Sequence, residues 1–237
     1  MACTTTFFAK QNRKNMNEQL FTGILYTHIV AGGLALVSGP IAMFNQDGGK
    51  LHRKSGIIYF YSMMVIFVSS IIISFVRENW FLFIVGIFSC YLVLTGYRAL
   101  ALKMLHRGQK AEKIDWFILI LSLLSGLGLI SMGVWMFWSQ GNSFGLVPFI
   151  FGAVMLSGVK QDYKRFTIPP TEKNHWLLKH IVGMMGGYIA TLTAFLVQNV
   201  QTNPSFIAWL APTVLVTPII IYSTNKIRKG KSKIEMK

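Results

Sequence analysis

Histidine is the residue type in this chain best suited to chemistry, because a neutral imidazole nitrogen binds iron and handles protons near neutral pH. There are five: His28, His52, His106, His175 and His180. Two of them open the same pattern. At helical spacing His28 is followed by Gly32, Ala35 and Gly39, and His180 by Gly183, Gly187, Ala190 and Ala194. A histidine heading a face of small residues leaves room for a flat ligand, such as a haem macrocycle or a quinone ring. The same face lets two helices approach closely with the histidine bonding a neighbour, and for either helix alone that plainer reading has at least equal weight. A third motif, His52-Arg53-x-x-Gly56-x-x-Tyr59, puts His52, Gly56 and Tyr59 on one helical face. Arg53 would stand at the headgroup layer, able to pair with a propionate or simply to anchor a helix end. His106 and His175, set among Lys and Arg, read as solvated loop residues.

Other chemistries lack their residues. The sequence has no P-loop, no C-x-x-C, no H-E-x-x-H and no G-x-S-x-G. Its two cysteines, Cys3 and Cys90, are too few for a zinc or iron–sulfur site and too far apart in the chain's layout to read as a disulfide. Gly126 and Gly128 read as packing glycines. No Asp or Glu falls at the centre of an apolar run, which weighs against a carboxylate-driven transporter.

The elements that must position the histidines follow from composition. The chain of 237 residues is 53% hydrophobic and only 13% charged, yet carries a formal +15. That combination suits lipid and excludes a disordered tail protein, a disulfide-stapled module and an ordinary soluble enzyme. Seven runs are long enough for a bilayer, whose core needs about 20 helical residues: Leu20 to Phe44, Gly56 to Val76, Trp80 to Ala101, Trp116 to Trp138, Phe144 to Val159, Trp176 to Val200 and Ser205 to Tyr222. The fifth is the shortest. Helices are expected because backbone polar groups in lipid must bond within the segment. The expected fold is therefore all-α, a seven-span transmembrane bundle over residues 20–224. A polar segment, 1–19, precedes it as part of an uncleaved chain, and a basic tail, 225–237, follows.

Charge sets the expected orientation. If the spans alternate, one side receives seventeen basic residues: Lys50, Arg53, Lys54, Lys103, Arg107, Lys110, Lys113, Lys160, Lys164, Arg165, Lys173, Lys226, Arg228, Lys229, Lys231, Lys233 and Lys237. The other receives four, Lys10, Arg13, Lys14 and Arg77, while Arg98 and Lys179 lie inside spans near the basic side. The positive-inside rule then places the N-terminus outside and the C-terminus in the cytoplasm. The basic loops lie beside the membrane, so anionic lipid headgroups are the expected partner and nucleic acid is not.

Depth limits which histidines can meet. At 1.5 Å per residue His28 lies roughly 24 Å above the cytoplasmic end of its helix and His180 roughly 6 Å above that level. They cannot share one iron. His52 with His180 is the best axial pair for a haem b. His28 would need another partner, and Met132 lies at about its depth.

At these residues the sequence resembles a large family of uncharacterised bacterial membrane proteins, a domain of unknown function. The resemblance rests on His28-x-x-x-Gly32 leading to Ser38-Gly39-Pro40, on Leu51-His52-Arg53-x-x-Gly56-x-x-Tyr59, on Asp162, and on Trp176-Leu177-x-x-His180-Ile181-x-x-Met184 with Tyr188-Ile189-Ala190-x-x-Thr193-Ala194-Phe195. It implies a multi-pass protein of the plasma (inner) membrane. In layout the chain is loosely similar to b-type cytochromes and ferric-reductase-like proteins, which hold haem with histidines from different helices. The leading expectation is a redox protein with His52 and His180 as metal ligands, Arg53 at a propionate, Tyr59 tuning the site and His28 deeper in the membrane. A small-molecule permease or channel, hinged at Pro40, Pro212 and Pro218, is the alternative. A non-catalytic subunit that binds a copy of itself or another membrane protein is a third reading.

Overall fold

A computed structural model describes residues 2–45, 48–78, 80–204 and 206–229, without the side chains of 2–17, 80–82 and 84. Cys3, the cations of the 1–19 segment, and Lys231, Lys233 and Lys237 of the tail thus lie outside the described side chains. The described residues form seven long helices: α1 (Ala2–Phe44), α2 (Lys50–Val76), α3 (Trp80–Arg98), α4 (Lys113–Gln140), α5 (Leu146–Thr167), α6 (His175–Asn199) and α7 (Phe206–Arg228). No strand occurs among the described residues. Among the described residues six helices are long and apolar enough to cross a membrane: α1, α2, α4, α5, α6 and α7.

The surface is built for lipid. Val30 is 62% exposed, Leu124 63% and Val214 69%, part of an apolar exterior that a water-soluble monomer does not carry. Serines do the reverse. Ser55, Ser62, Ser69 and Ser74 of α2 are buried, and Ser55 and Ser69 donate to the carbonyls of Leu51 and Val65 four residues back. Small residues with self-satisfied hydroxyls let helices approach closely without an orphaned polar group.

Two packed groups share α3. In the first, α1, α2, α3 and α6 form a ring in which α1 packs on α2, α2 on α3, α3 on α6 and α6 on α1. Ala35, Tyr59, Met63 and Val93 fill its centre. Helices α2 and α6 stand on its diagonal and meet through side chains, Tyr59 donating to the Met184 carbonyl at 3.4 Å and Thr191 reaching the Met63 sulfur at 3.1 Å. The second group joins α3, α4, α5 and α7 around Phe88, Leu129, Phe151, Met155 and Trp209. There Phe88 stacks on Phe151 with ring centroids 5.4 Å apart.

Several boundaries differ from the sequence reading, most of all that of α1, which begins at Ala2, so that the segment expected to precede the bundle is helical from residue 2. Helix α5 continues to Thr167, eight residues past the apolar run that ends at Val159. Its extension carries Asp162 and Arg165, which form ion pairs, and Phe166, which packs on the second core. Helix α2 begins at Lys50, so His52 and Arg53 belong to its first turn.

Candidate functional site

His52 and His180 come together. Their ring centroids lie 6.3 Å apart with the planes at 69°. Each ring is fixed by a backbone carbonyl: His52 Nδ1 donates to Ala42 on α1 at 3.0 Å, and His180 Nδ1 donates to Gly96 on α3 at 2.9 Å. A carbonyl oxygen only accepts, so Nδ1 carries the proton in both rings. Both Nε2 atoms then hold lone pairs, the form in which imidazole binds a metal, with the outer hydrogen bond setting orientation. All four helices of the ring contribute: α2 and α6 present the imidazoles across the diagonal, while α1 and α3 hold them.

The other sequence candidates fall around this pair. Arg53 is exposed and its Nε donates to the Gly48 carbonyl at 3.0 Å, which ties the start of α2 to the loop before it. Tyr59 is 2% exposed, its hydroxyl occupied by Met184 one turn beyond His180. Its ring lies at 6.5 Å from that of Tyr188, and the two close the centre of the ring away from the histidines. His28 is elsewhere. It bonds Ser69 of α2 at 2.8 Å; since Ser69 spends its hydrogen on Val65 O, the imidazole donates from Nδ1. Met132 sits on α4, outside this ring of four helices.

The small-residue faces serve helix contact. A Cβ on Gly183 would lie 2.6 Å from the Gly96 Cα, and one on Gly39 would lie 2.6 Å from the Tyr188 ring. Gly187 likewise meets Val93 and the Tyr59 hydroxyl. The room expected beside α6 is therefore occupied by α3 and Tyr59. Gly32, and Gly56 of the His52 motif, have nothing within 4 Å and still face open space.

A second polar cluster escaped the sequence reading. Asp162, 1% exposed, accepts from Tyr91 Oη at 2.6 Å, Lys179 Nζ at 2.6 Å and Arg165 Nη1 at 3.1 Å. Nε and Nη2 of Arg165 are buried without a partner. Nearby, Arg98 grips Asp115 with two bonds, Nε to Oδ1 at 2.8 Å and Nη2 to Oδ2 at 3.0 Å, and reaches Glu112 at 2.9 Å. Asp115 also accepts from the Glu112 amide and so caps α4. Between the two groups lies a cavity of about 10 Å³ lined by Thr95, Arg98, Asp115, Asp162 and Arg165 among others, enough for about one water. The available signal was Asp162 and Arg165 at an i, i+3 spacing, but only a helix running past Val159 turns that spacing into a pair.

His175 corrects the solvated-loop reading. It is 7% exposed, donates from Nε2 to the Lys103 carbonyl at 3.2 Å, and lies 5.7 Å from the His106 ring. The loop after α3 folds over it, and Lys103 also covers Trp176 with its ammonium 4.6 Å from the ring centroid. His106 stays half-buried, its Nδ1 bonded to the same Lys103 carbonyl at 3.0 Å. Cys90 is a buried free thiol, and no group of three metal-ligating side chains occurs among the described residues.

Fold and surface together define the class: an all-helical bundle of the membrane-embedded kind, with a histidine pair across one end of a four-helix ring. No protein-family model, curated protein or solved structure matches the chain.

Proposed function

We propose that this is a seven-span protein of the plasma (inner) membrane that holds haem b between His52 and His180 and transfers electrons. One observation carries the reading: two imidazoles on diagonal helices, 6.3 Å apart, each anchored through Nδ1 to a carbonyl. Two rings bonded through Nε2 to one metal at about 2 Å have centroids about 6 Å apart. Separation and tautomer both suit two residues that would hold haem b. Bound there, haem b would supply one-electron exchange between ferric and ferrous iron. The chain's own residues do the rest. Ala42 and Gly96 hold the rings, Tyr59 and Tyr188 close off the interior, and Arg53, which is exposed, suits a propionate.

Membranes from cells overexpressing the chain should show a Soret band that shifts on reduction. His52→Ala or His180→Ala should abolish it, and His106→Ala should leave it intact. A wild-type protein with no Soret band, where a control cytochrome keeps its haem, overturns the proposal.

The orientation belongs to the same reading. Helix α3, at 19 residues, is about 28 Å long and matches a hydrocarbon core of about 30 Å. Counting it as the seventh span is what sorts the basic residues onto one side. Reporter fusions should find the C-terminus in the cytoplasm and the N-terminus outside. A cytoplasmic N-terminus would sink this topology.

The buried Asp162 supports a second reading, as a permease or channel, because charged side chains inside a helical bundle commonly mark ion or substrate paths. Substrate-dependent uptake into proteoliposomes, lost on Asp162→Asn, would favour it over electron transfer.

A further inference from the structure

A cleft of about 230 Å³ opens between the start of α6 and the end of α7, lined by Glu172, Lys173, Asn174, Leu178, Ile227 and Arg228. Its rim is polar and its floor apolar. Leu178 is half-buried and Ile227 is 4% exposed. One turn further along α6, on the same face, Val182 is 42% exposed, which continues the apolar track away from the rim. Lys173 has no ion-pair partner among the described residues. Arg228 reaches Glu172 at only 4.0 Å, with the two side chains 60% and 54% exposed. A pair so long and so wet contributes little, so it leaves the guanidinium available.

We propose that this cleft binds the headgroup of an anionic phospholipid. Lys173 and Arg228 would take the phosphodiester, and the glycerol and first acyl carbons would lie on Leu178 and Ile227. The inference rests on the membrane embedding and on the basic ends facing the cytoplasmic leaflet. It does not rest on haem. Charge complementarity selects the occupant: two cations over an apolar floor, at the end of two helices whose outer faces are apolar, match a phosphate attached to hydrocarbon. A soluble phosphate would leave the floor unused, and a zwitterionic lipid would cancel the charge. Glu172 opposes binding, because a phosphodiester must displace it from Arg228. That residue gives the site a signature that bulk attraction to a basic surface does not have.

The test uses the full chain in nanodiscs containing equal phosphatidylglycerol and phosphatidylcholine with identical acyl chains, with native mass spectrometry counting the lipids retained. Wild type should retain phosphatidylglycerol preferentially. Lys173→Gln and Arg228→Gln should each lower that preference about fivefold, the worth of one cation near a headgroup, and Glu172→Gln should raise it. Lys226→Gln with Lys229→Gln removes twice that charge at the end of α7 but outside the cleft, and should change the preference less than either single variant does. Thermal unfolding of each variant should match wild type, since all these side chains are exposed. A loss in the Lys226→Gln/Lys229→Gln variant as large as that in Lys173→Gln or Arg228→Gln, an unaltered preference in Glu172→Gln, or displacement of the lipid by millimolar inorganic phosphate would each overturn the proposal. An N-terminus found in the cytoplasm would overturn the topology and leave the lipid count to judge the cleft.

Discussion

Asp162→Ala is expected to destabilise the bundle by about 3–5 kcal/mol. The carboxylate accepts from three donors inside the protein, Tyr91 and Lys179 at 2.6 Å and Arg165 at 3.1 Å. Removing it leaves an ammonium and a guanidinium buried without their counter-ion. Arg165 is already short of partners, with Nε and Nη2 unbonded, so the loss of its Nη1 contact leaves no compensation. The cost is that of an uncompensated charge, not the net worth of the ion pair, and this distinction can be tested. Asp162→Leu combined with Lys179→Met and Arg165→Met removes all three charges together and should recover most of the loss. Asp162→Asn, which keeps an acceptor but not the charge, should fall between. Denaturant titration in detergent micelles, followed by circular dichroism, reads the differences. An alanine variant within about 1 kcal/mol of wild type would show that the cluster draws on solvent instead of on Asp162.

The second large effect is steric. At Gly183 a Cβ would stand 2.6 Å from the Gly96 Cα and from the Leu92 carbonyl, and 2.8 Å from the Gly96 nitrogen. Non-bonded carbons settle at about 3.5–4.0 Å, and every atom in the way is backbone. Gly183→Val must therefore push α3 and α6 apart by about 1 Å or more, costing about 1–3 kcal/mol from overpacking alone. The consequence reaches the histidine pair, since the hydrogen bond that orients His180 ends on Gly96. The variant should thus unfold earlier and, if the proposed haem is held there, also lose it, with the Soret intensity per protein falling more than its helix content. Gly186→Ala is the control. Its Cβ would meet only the Leu92 side chain, at 3.3 Å or more, and a leucine terminus can move. Equal behaviour of the two variants would mean that the α3–α6 contact does not position His180.

Much of the architecture was legible before any coordinates. Long apolar runs need helices in lipid whatever their neighbours, so helix number and approximate position follow from local composition. Depth followed as well, because rise per residue is fixed: it separated His28 from His180 and singled out His52 as the residue able to meet it. Less legible was what the small-residue faces were for. Room for a ligand and close contact with a helix look alike in sequence, and only the position of Gly96 opposite Gly183 decides that α3 takes the space. The Asp162 cluster was hidden for a related reason. Its donors come from α3, α5 and α6, far apart in the chain, and hydropathy gave no sign that α5 would continue beyond Val159.

By itself the sequence determined the helical class, the apolar runs that suit a membrane, and the uneven distribution of charge. Those properties depend on residue type and fixed helical geometry. Tertiary structure alone decided which polar groups became partners. Ala42 and Gly96 orient the candidate ligands, Asp162 gathers a lysine, an arginine and a tyrosine, and Lys103 folds over His175. The physical reason is that a buried polar group must find its partner within the protein, and which partner lies within about 3 Å is set by how the helices cross.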